Sequence, residues 1–191
     1  METTKKALRL KLLERRKFIH KNLLSIQDLY YENLRTKTFP LLKENIPPRS
    51  RIISGFYPIG SEIDCKFILS LFKQQSYIIC LPVVIGKDQP LIFREWDGEE
   101  KSLVEGMYRI KVPNSENPIR VPDVIITPLV GFDLNLYRIG YGGGYYDRTF
   151  KAFPNSLRIG LGYSEQLVEE LPVEENDVKL HVIVTEEGAI K

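Results

Sequence analysis

Residues 123–133, DVIITPLVGFD, carry the strongest strand signal in the chain, and a cluster of glycines at 140, 142, 143 and 144 follows almost at once. Strand, loop and the helical run YYDRTFKAF make one unit, and in open α/β sheets ligands bind beyond the carboxyl ends of strands. Several glycines together mean a backbone that reaches unusual dihedrals or lets something approach closely. Successive backbone N–H groups in a glycine-rich turn ahead of a helix suit a phosphate or another anion. Arg138 and Arg148 flank the cluster with charge suited to phosphate oxygens. No Lys-Ser/Thr follows the last glycine, which excludes a Walker loop, and the G-x-G-G-G spacing is a poor dinucleotide fingerprint. A tight turn packed on tyrosine rings is the plain alternative.

Elsewhere helical segments alternate with apolar, β-branched runs. Residues 4–44 read as helix broken once or twice, with Leu8, Leu12, Ile19, Leu23 and Leu24 at near-helical spacing, Thr3 or Thr4 as cap and Pro47-Pro48 as terminator. RIISGFYPI (51–59) reads as a strand closed by Gly60, and Ser61 as the N-cap of a helix to about residue 75. Strands follow at 77–85 and 91–96 around the turn-like GKDQP, then a polar stretch, 97–120, that reads as irregular. A strand at 157–163, a short helix in SEQLVEEL and a last strand in HVIVTEEG complete the chain. The pattern predicts a single α/β domain over 1–191. It has three layers, with a central, mostly parallel sheet covered on both faces and a helical N-terminal region (1–45) packed on it.

At 191 residues the chain can bury a core without disulfides or metals. Its net charge of +2 is too small to suggest a nucleic-acid partner. Cys65 and Cys80 fit no metal spacing and sit among apolar residues, which predicts buried, reduced core thiols and a reducing compartment. No segment approaches the ~20 apolar residues of a membrane span, and METTKKALRLKLLERRK lacks a signal peptide's apolar stretch. A soluble cytoplasmic chain with no membrane partner is expected.

Catalytic classes narrow in the same way. His20 sits in a polar helical segment and His181 opens an apolar strand; neither cysteine has an evident base. G-x-S-x-G and zinc patterns are absent. What is left is chemistry by positioning and charge neutralisation, as in phosphoryl transfer. Asp147, beside Arg148, suits a Mg²⁺ bridging phosphate oxygens, and equally a salt bridge or first-turn cap. Asp177, in PVEENDVKL, reads by itself as a surface carboxylate. Lys5 and Arg9 share a helix face at i, i+4, and by itself this basic start reads as a solvated face.

TPLVGFDLNLYRIGYGGGYYDRTF resembles the signature of the 5-formyltetrahydrofolate cyclo-ligase family. That pattern runs P-L-[VL]-[AG]-F-D, a few residues, then R-[LIM]-G-x-G-[GK]-G-[YF]-Y-D, and the match extends from Pro128 to Asp147. KKALR (5–9), YPIGSEIDCKFIL (57–69), LPVV and the segment from IGLGY to TEEG are similar to further family segments, so the resemblance spans the chain.

The resemblance implies an α/β sandwich and an ATP- and Mg²⁺-dependent conversion of 5-formyltetrahydrofolate to 5,10-methenyltetrahydrofolate. In that reaction the formyl oxygen attacks the γ-phosphate, N10 closes the phosphorylated intermediate, and ADP and phosphate leave; no covalent protein nucleophile is implied. Carried over by position, Lys5, Arg9, Arg138, Gly140, Tyr141, Gly142, Gly143, Gly144, Tyr145 and Tyr146 bind ATP. Tyr57, Glu62, Tyr141 and Tyr145 bind the folate, with or without a polyglutamate tail, and Asp147 and Asp177 hold Mg²⁺. A carboxylate at Glu62 suits the paired N–H donors of a pterin, and the tyrosines suit flat rings. A monomer is expected.

Two positions depart from the family pattern. Val112 stands where a G-I-x-E-P glutamate is common, which leaves Tyr108 and Arg109 unassigned, and Asn176 stands where histidine often precedes the metal-side aspartate. Competing readings are an isomerase or transferase of small phosphorylated metabolites, needing no ATP, and an RNA- or protein-binding module using the basic helix.

Overall fold

The computed structural model describes residues 4–191. Helix α1 (Lys5–Leu24) starts at Thr4, whose hydroxyl accepts from the Ala7 N–H; Thr3 lies outside the described residues. It ends where the Ser25 hydroxyl donates to the Asn22 carbonyl, a local bond that competes with the helical ladder. Beyond Ile26, α2 (Gln27–Asn33), a π-helical turn at Leu34–Thr38 and α3 (Phe39–Asn45) run on continuously. The π turn lies just before Pro40, which has no N–H to give a helical ladder.

There follow β1 (Ile52–Ser54), α4 (Cys65–Gln74), β2 (Ile78–Val83), β3 (Ile92–Glu95), β4 (Leu103–Glu105), β5 (Lys111–Pro113), β6 (Ile119–Arg120) and β7 (Val124–Pro128). The chain ends with β8 (Gly131–Phe132), β9 (Arg138–Ile139), α5 (Tyr145–Ala152), β10 (Leu157–Leu161), β11 (Val182–Val184) and β12 (Ala189–Ile190). Eight strands form one sheet in the order β12-β11-β10-β7-β1-β2-β3-β6. Its inner strands, β11, β10, β7, β1 and β2, are parallel, and antiparallel strands extend both edges. The mostly parallel α/β sheet expected from the sequence is therefore present.

Successive side chains on a strand face opposite ways. Val124, Ile126, Ile159, Leu161 and Val184 thus join Leu34, Leu42, Ile68 and Phe72 in one core under the helices. Ile125, Ile183, Cys80 and Phe93 pack on the other face with Phe150 of α5. Both faces are covered, which is why β7 is apolar but for the buried Thr127. Each fully buried aliphatic side chain contributes roughly 1.5–3 kcal/mol of transfer free energy. A third, smaller cluster of Leu12, Val130, Ile139 and Leu171 seats α1 on the β8–β9 hairpin. Gly131 permits that seat, since a Cβ there would lie 2.5 Å from Leu12 Cδ1.

Several sequence expectations need correction. The first strand stops at Ser54 rather than 59, and Asp64, not Ser61, caps α4, its carboxylate accepting from the Phe67 N–H. Ser61 instead accepts a bond from Arg16. The 123–133 run is not one strand: β7 ends at Pro128, and Gly131–Phe132 turns back to pair with Arg138–Ile139. SEQLVEEL forms only one 3₁₀ turn, Ser164–Gln166. The stretch 97–120 is not irregular, since β4 and β5 form a hairpin within it and β6 joins the sheet.

Candidate active site

A cleft of about 1140 Å³ opens where the parallel strands end. Its walls include Phe56 and Tyr57 after β1, Pro82 and Val84 at the end of β2, Leu129 and Val130 after β7, and the whole glycine loop. Every residue singled out from the sequence as a nucleotide, folate or metal contact lines this one cleft: Lys5, Arg9, Tyr57, Glu62, Arg138, Gly140 to Tyr146, Asp147 and Asp177.

The loop is held from outside by its carbonyls. Arg9 Nε donates to Gly140 O at 2.6 Å, and Arg148 Nη2 to Gly143 O at 2.7 Å. The N–H groups of Tyr141, Gly142, Gly143 and Gly144 have no acceptor among the described residues. Gly144, at φ +65°, is the N-cap of α5, and no side chain among the described residues caps that helix. A run of unpaired N–H groups leading into a helix N-terminus is an anion-suited surface.

Three cations of α1 reach this region from one helix face. Lys5 Nζ lies 2.5 Å from Asp177 Oδ2, Arg9 holds the loop, and Arg16 is buried behind it. Lys5 and Arg9 therefore do not form a solvated face. Arg138, 6% exposed, pairs with Asp147 Oδ1 at 3.0 Å, and the same oxygen accepts from the Val178 N–H. Asp147 thus makes the salt bridge that was its alternative reading, while keeping Oδ2 without a partner among the described residues; Asp177 likewise keeps Oδ1. No group of three or more His, Cys, Asp or Glu converges among the described residues. Two carboxylates, each with one uncommitted oxygen, fit a Mg²⁺ that takes its other ligands from phosphate and water. Asn176 also lines the cleft and accepts from Lys151 Nζ.

Glu62 forms the opposite side. The residue is 3% exposed, and burial pushes its pKa up to about 7, with Arg16 and the Ile59 N–H holding it down. Glu62 Oε2 accepts from Ile59 N at 2.8 Å, while Oε1 has no hydrogen-bond partner among the described residues and lies 3.6 Å from Arg16 Nη1. Tyr57 stands at the rim, donating to Glu100, which Lys66 and Lys111 also engage.

The β4–β5 hairpin closes one flank. Met107, Tyr108, Ile110 and Val112 line the cleft, and the Tyr108 and Tyr145 hydroxyls meet at 2.8 Å. Tyr108 and Arg109 sit at φ +59° and +58°, a left-handed pair at the hairpin tip that costs non-glycine residues about 1 kcal/mol or more each.

Arg16, Met107 and Ile110 were not singled out from the sequence, Tyr108 and Val112 were left without a role, and Lys6 counted only toward the basic helix. For Arg16 the available sign was a charge on the buried stripe of α1, between Leu12 and Ile19. His20 and His181 do not line the cleft; they bond Tyr163 and Arg158. Cys65 and Cys80 are free and buried, as expected, and burial pushes both thiol pKa values up. No helix among the described residues is long and apolar enough to cross a membrane.

Fold and cleft together define an α/β protein in which an anion-suited loop faces a pocket with a buried carboxylate. Residues 1–186 match the model of the 5-formyltetrahydrofolate cyclo-ligase family, and the chain belongs to that family. It is 49% identical over 140 residues to a 5-formyltetrahydrofolate cyclo-ligase of Escherichia coli, covering 70% of this chain and 76% of the relative. The enzyme of that name from Haemophilus influenzae is 34% identical over 143 residues, covering 71% and 76%. Among solved structures, the NMR structure of Aquifex aeolicus 5,10-methenyltetrahydrofolate synthetase superposes with a TM-score of 0.74 at 29% identity, covering 98% of this chain and 92% of that one. A 5,10-methenyltetrahydrofolate synthetase from Mycoplasma pneumoniae gives 0.70 at 25% identity, covering 97% and 99%.

Proposed function

We propose that this protein converts 5-formyltetrahydrofolate to 5,10-methenyltetrahydrofolate using ATP, with release of ADP and phosphate. The observation that carries this reading is one cleft joining unpaired loop N–H groups and the α1 cations to the buried Glu62 carboxylate. Family membership supplies the reaction, and the cleft offers what that reaction needs.

The loop N–H groups from Tyr141 to Gly144, with Lys5, Arg9 and Arg138, receive the triphosphate. Asp147 and Asp177 hold a Mg²⁺, which when bound spreads the charge of the transferring phosphoryl group. Ionised Glu62 accepts the pterin N–H donors, and Tyr57, Tyr141 and Tyr145 wall the rings. Held in line, the formyl oxygen attacks the γ-phosphorus and ADP leaves. N10 then attacks the activated formyl carbon, losing its proton, and phosphate departs with the original formyl oxygen. No protein nucleophile takes part; the residues orient two reactants and exclude water, a contribution worth up to about 7–11 kcal/mol of barrier.

The test is a near-UV absorbance assay for methenyltetrahydrofolate with purified protein, 5-formyltetrahydrofolate and Mg²⁺, with and without ATP. An ATP-dependent rise is expected. No rise from folded protein that still binds ATP would assign a different substrate to the cleft, and no ATP binding would overturn the loop's role.

A further inference from the structure

We propose that Arg16 is a positioning residue of this site, holding the Glu62 carboxylate and the Tyr141 ring in the pose that receives the folate. The inference rests on the reading that Glu62 and Tyr141 face that substrate.

Arg16 leaves α1 on the same face as Lys5 and Arg9, yet ends somewhere different: its side chain is 2% exposed, as is that of Glu62. Its guanidinium joins four parts of the chain. Nη1 donates to the Leu129 carbonyl beyond β7 at 2.8 Å, Nε to Ser61 Oγ at 3.1 Å and Nη2 to the Tyr141 hydroxyl at 2.5 Å. Nη1 also stands 3.6 Å from Glu62 Oε1, and the charge lies 5.5 Å from the centre of the Tyr141 ring. One side chain thus bridges the carboxylate on the folate side to the glycine loop on the nucleotide side.

A buried ion pair adds little to stability that apolar packing could not match, because desolvation cancels most of the attraction. Its use here is to keep a carboxylate charged in a dry pocket. Glu62 Oε2 is fixed by the Ile59 N–H, and Oε1 is buried without a hydrogen bond among the described residues. That oxygen is an acceptor waiting for a donor, and Arg16 balances its charge from 3.6 Å without occupying it. The titratable groups facing Glu62 are Arg16 on α1, Tyr141 on the loop, Tyr146 on α5 and Cys65 on α4. Burial raises the last two far above neutrality, and burial and Glu62 also push Tyr141 up, so among the described residues facing Glu62 it is Arg16 that brings charge to bear. Removing it moves the Glu62 pKa further up.

The experiment measures kcat and KM for both substrates between pH 5.5 and 9 or so in wild type, Arg16→Gln, Glu62→Gln and the double variant. Arg16→Gln is expected to lower kcat/KM for the folate about 10-fold or more, with the ATP KM little changed, and to shift the acid limb of that profile to higher pH. In the Glu62→Gln background the same change should cost clearly less than in wild type, because the part that Arg16 exerts through Glu62 is already lost and only its hold on Tyr141 remains. Equal losses toward both substrates, an unmoved acid limb or additive effects in the double variant would each overturn the proposal. Arg16→Lys keeps the charge and loses the fork. If Arg16→Gln does not fold, a raised folate KM with an unmoved acid limb in Arg16→Lys supports the proposal, and wild-type constants in Arg16→Lys overturn it. An inactive wild type overturns the functional reading, and this inference with it; an active wild type with additive variants overturns this inference alone.

Discussion

Lys5 Nζ sits 2.5 Å from Asp177 Oδ2, a bond between residues 172 positions apart that ties the first turn of α1 to the turn before β11. Both side chains are about four-fifths buried, at 19% and 18% exposure, and Glu174 lies 3.4 Å from the same ammonium. The pair sets a positive and a negative group at one edge of the cleft, the former suited to a phosphate and the latter to a metal. A charge-assisted bond of this kind is worth about 1.5–3 kcal/mol. Lys5→Ala is therefore expected to raise the ATP KM about 10-fold and leave the folate KM nearly unchanged. Steady-state kinetics with each substrate varied in turn will show this. A parallel rise in both would mean that Lys5 serves only to seat α1.

Asp147 has two duties that one substitution separates. Asn at this position keeps an oxygen for the Val178 N–H but removes the charge that Arg138, almost buried, faces at 3.0 Å. Asp147→Asn should cost about 1–2 kcal/mol of stability, a Tm loss of roughly 2–8 °C for a chain of this length. The Mg²⁺ concentration for half-maximal rate should rise about 10-fold. A metal titration beside a thermal melt distinguishes the duties: a lower Tm with unchanged Mg²⁺ dependence would leave Asp147 a structural partner of Arg138.

How legible these features are in the sequence differs by kind. The loop from Arg138 to Asp147 is local, and its glycines and charges announce themselves. Arg16 and its partners join segments far apart, the Ser61 bond alone spanning 45 positions, so the pairing is a tertiary fact that spacing cannot show. DVIITPLVGFD misleads because composition does not mark where a strand stops; Pro128 has no N–H for a further rung, and the chain turns there. The hairpin at 103–113 is hidden by its brevity and by a tip built from Tyr108 and Arg109, residue types that do not advertise a left-handed turn. Asp133 lies in the most recognisable motif and is structural: fully buried, it accepts from the N–H groups of Asn135, Tyr137 and Leu171.

The loop glycines divide into those the fold requires and one it does not. Gly142 and Gly144 have φ of +97° and +65°, and a Cβ on Gly143 would meet the Tyr145 ring at 2.8 Å. Gly140 has no such conformation, and a Cβ there would meet nothing within 4 Å among the described residues. Gly144→Val is expected to destabilise the protein by about 1–2 kcal/mol or more through its left-handed backbone. Gly140→Ala should leave Tm unchanged and weaken ATP binding, its methyl occupying space that the ligand needs. Calorimetric titration of ATP into both variants checks this. Full affinity in Gly140→Ala would show that the triphosphate does not approach that part of the loop.

Glu62 predicts a pH dependence of stability in the direction opposite to that of an ordinary paired carboxylate. Its pKa rises from 4.5 to about 7 on folding, mainly through burial. Between those values the native state holds a proton that the unfolded chain has lost, so stability falls as pH rises. The Glu62 contribution is fully present below about pH 4.5 and gone above about pH 7, a difference of roughly 3 kcal/mol. Glu62→Gln keeps the shape and removes the titration. Urea denaturation at pH 5 and pH 8 should therefore show a larger loss for wild type than for Glu62→Gln, by about 2–3 kcal/mol. If the two proteins lose stability in parallel, Glu62 is ionised throughout, and its charge in the folded site is set by Arg16 more strongly than by burial.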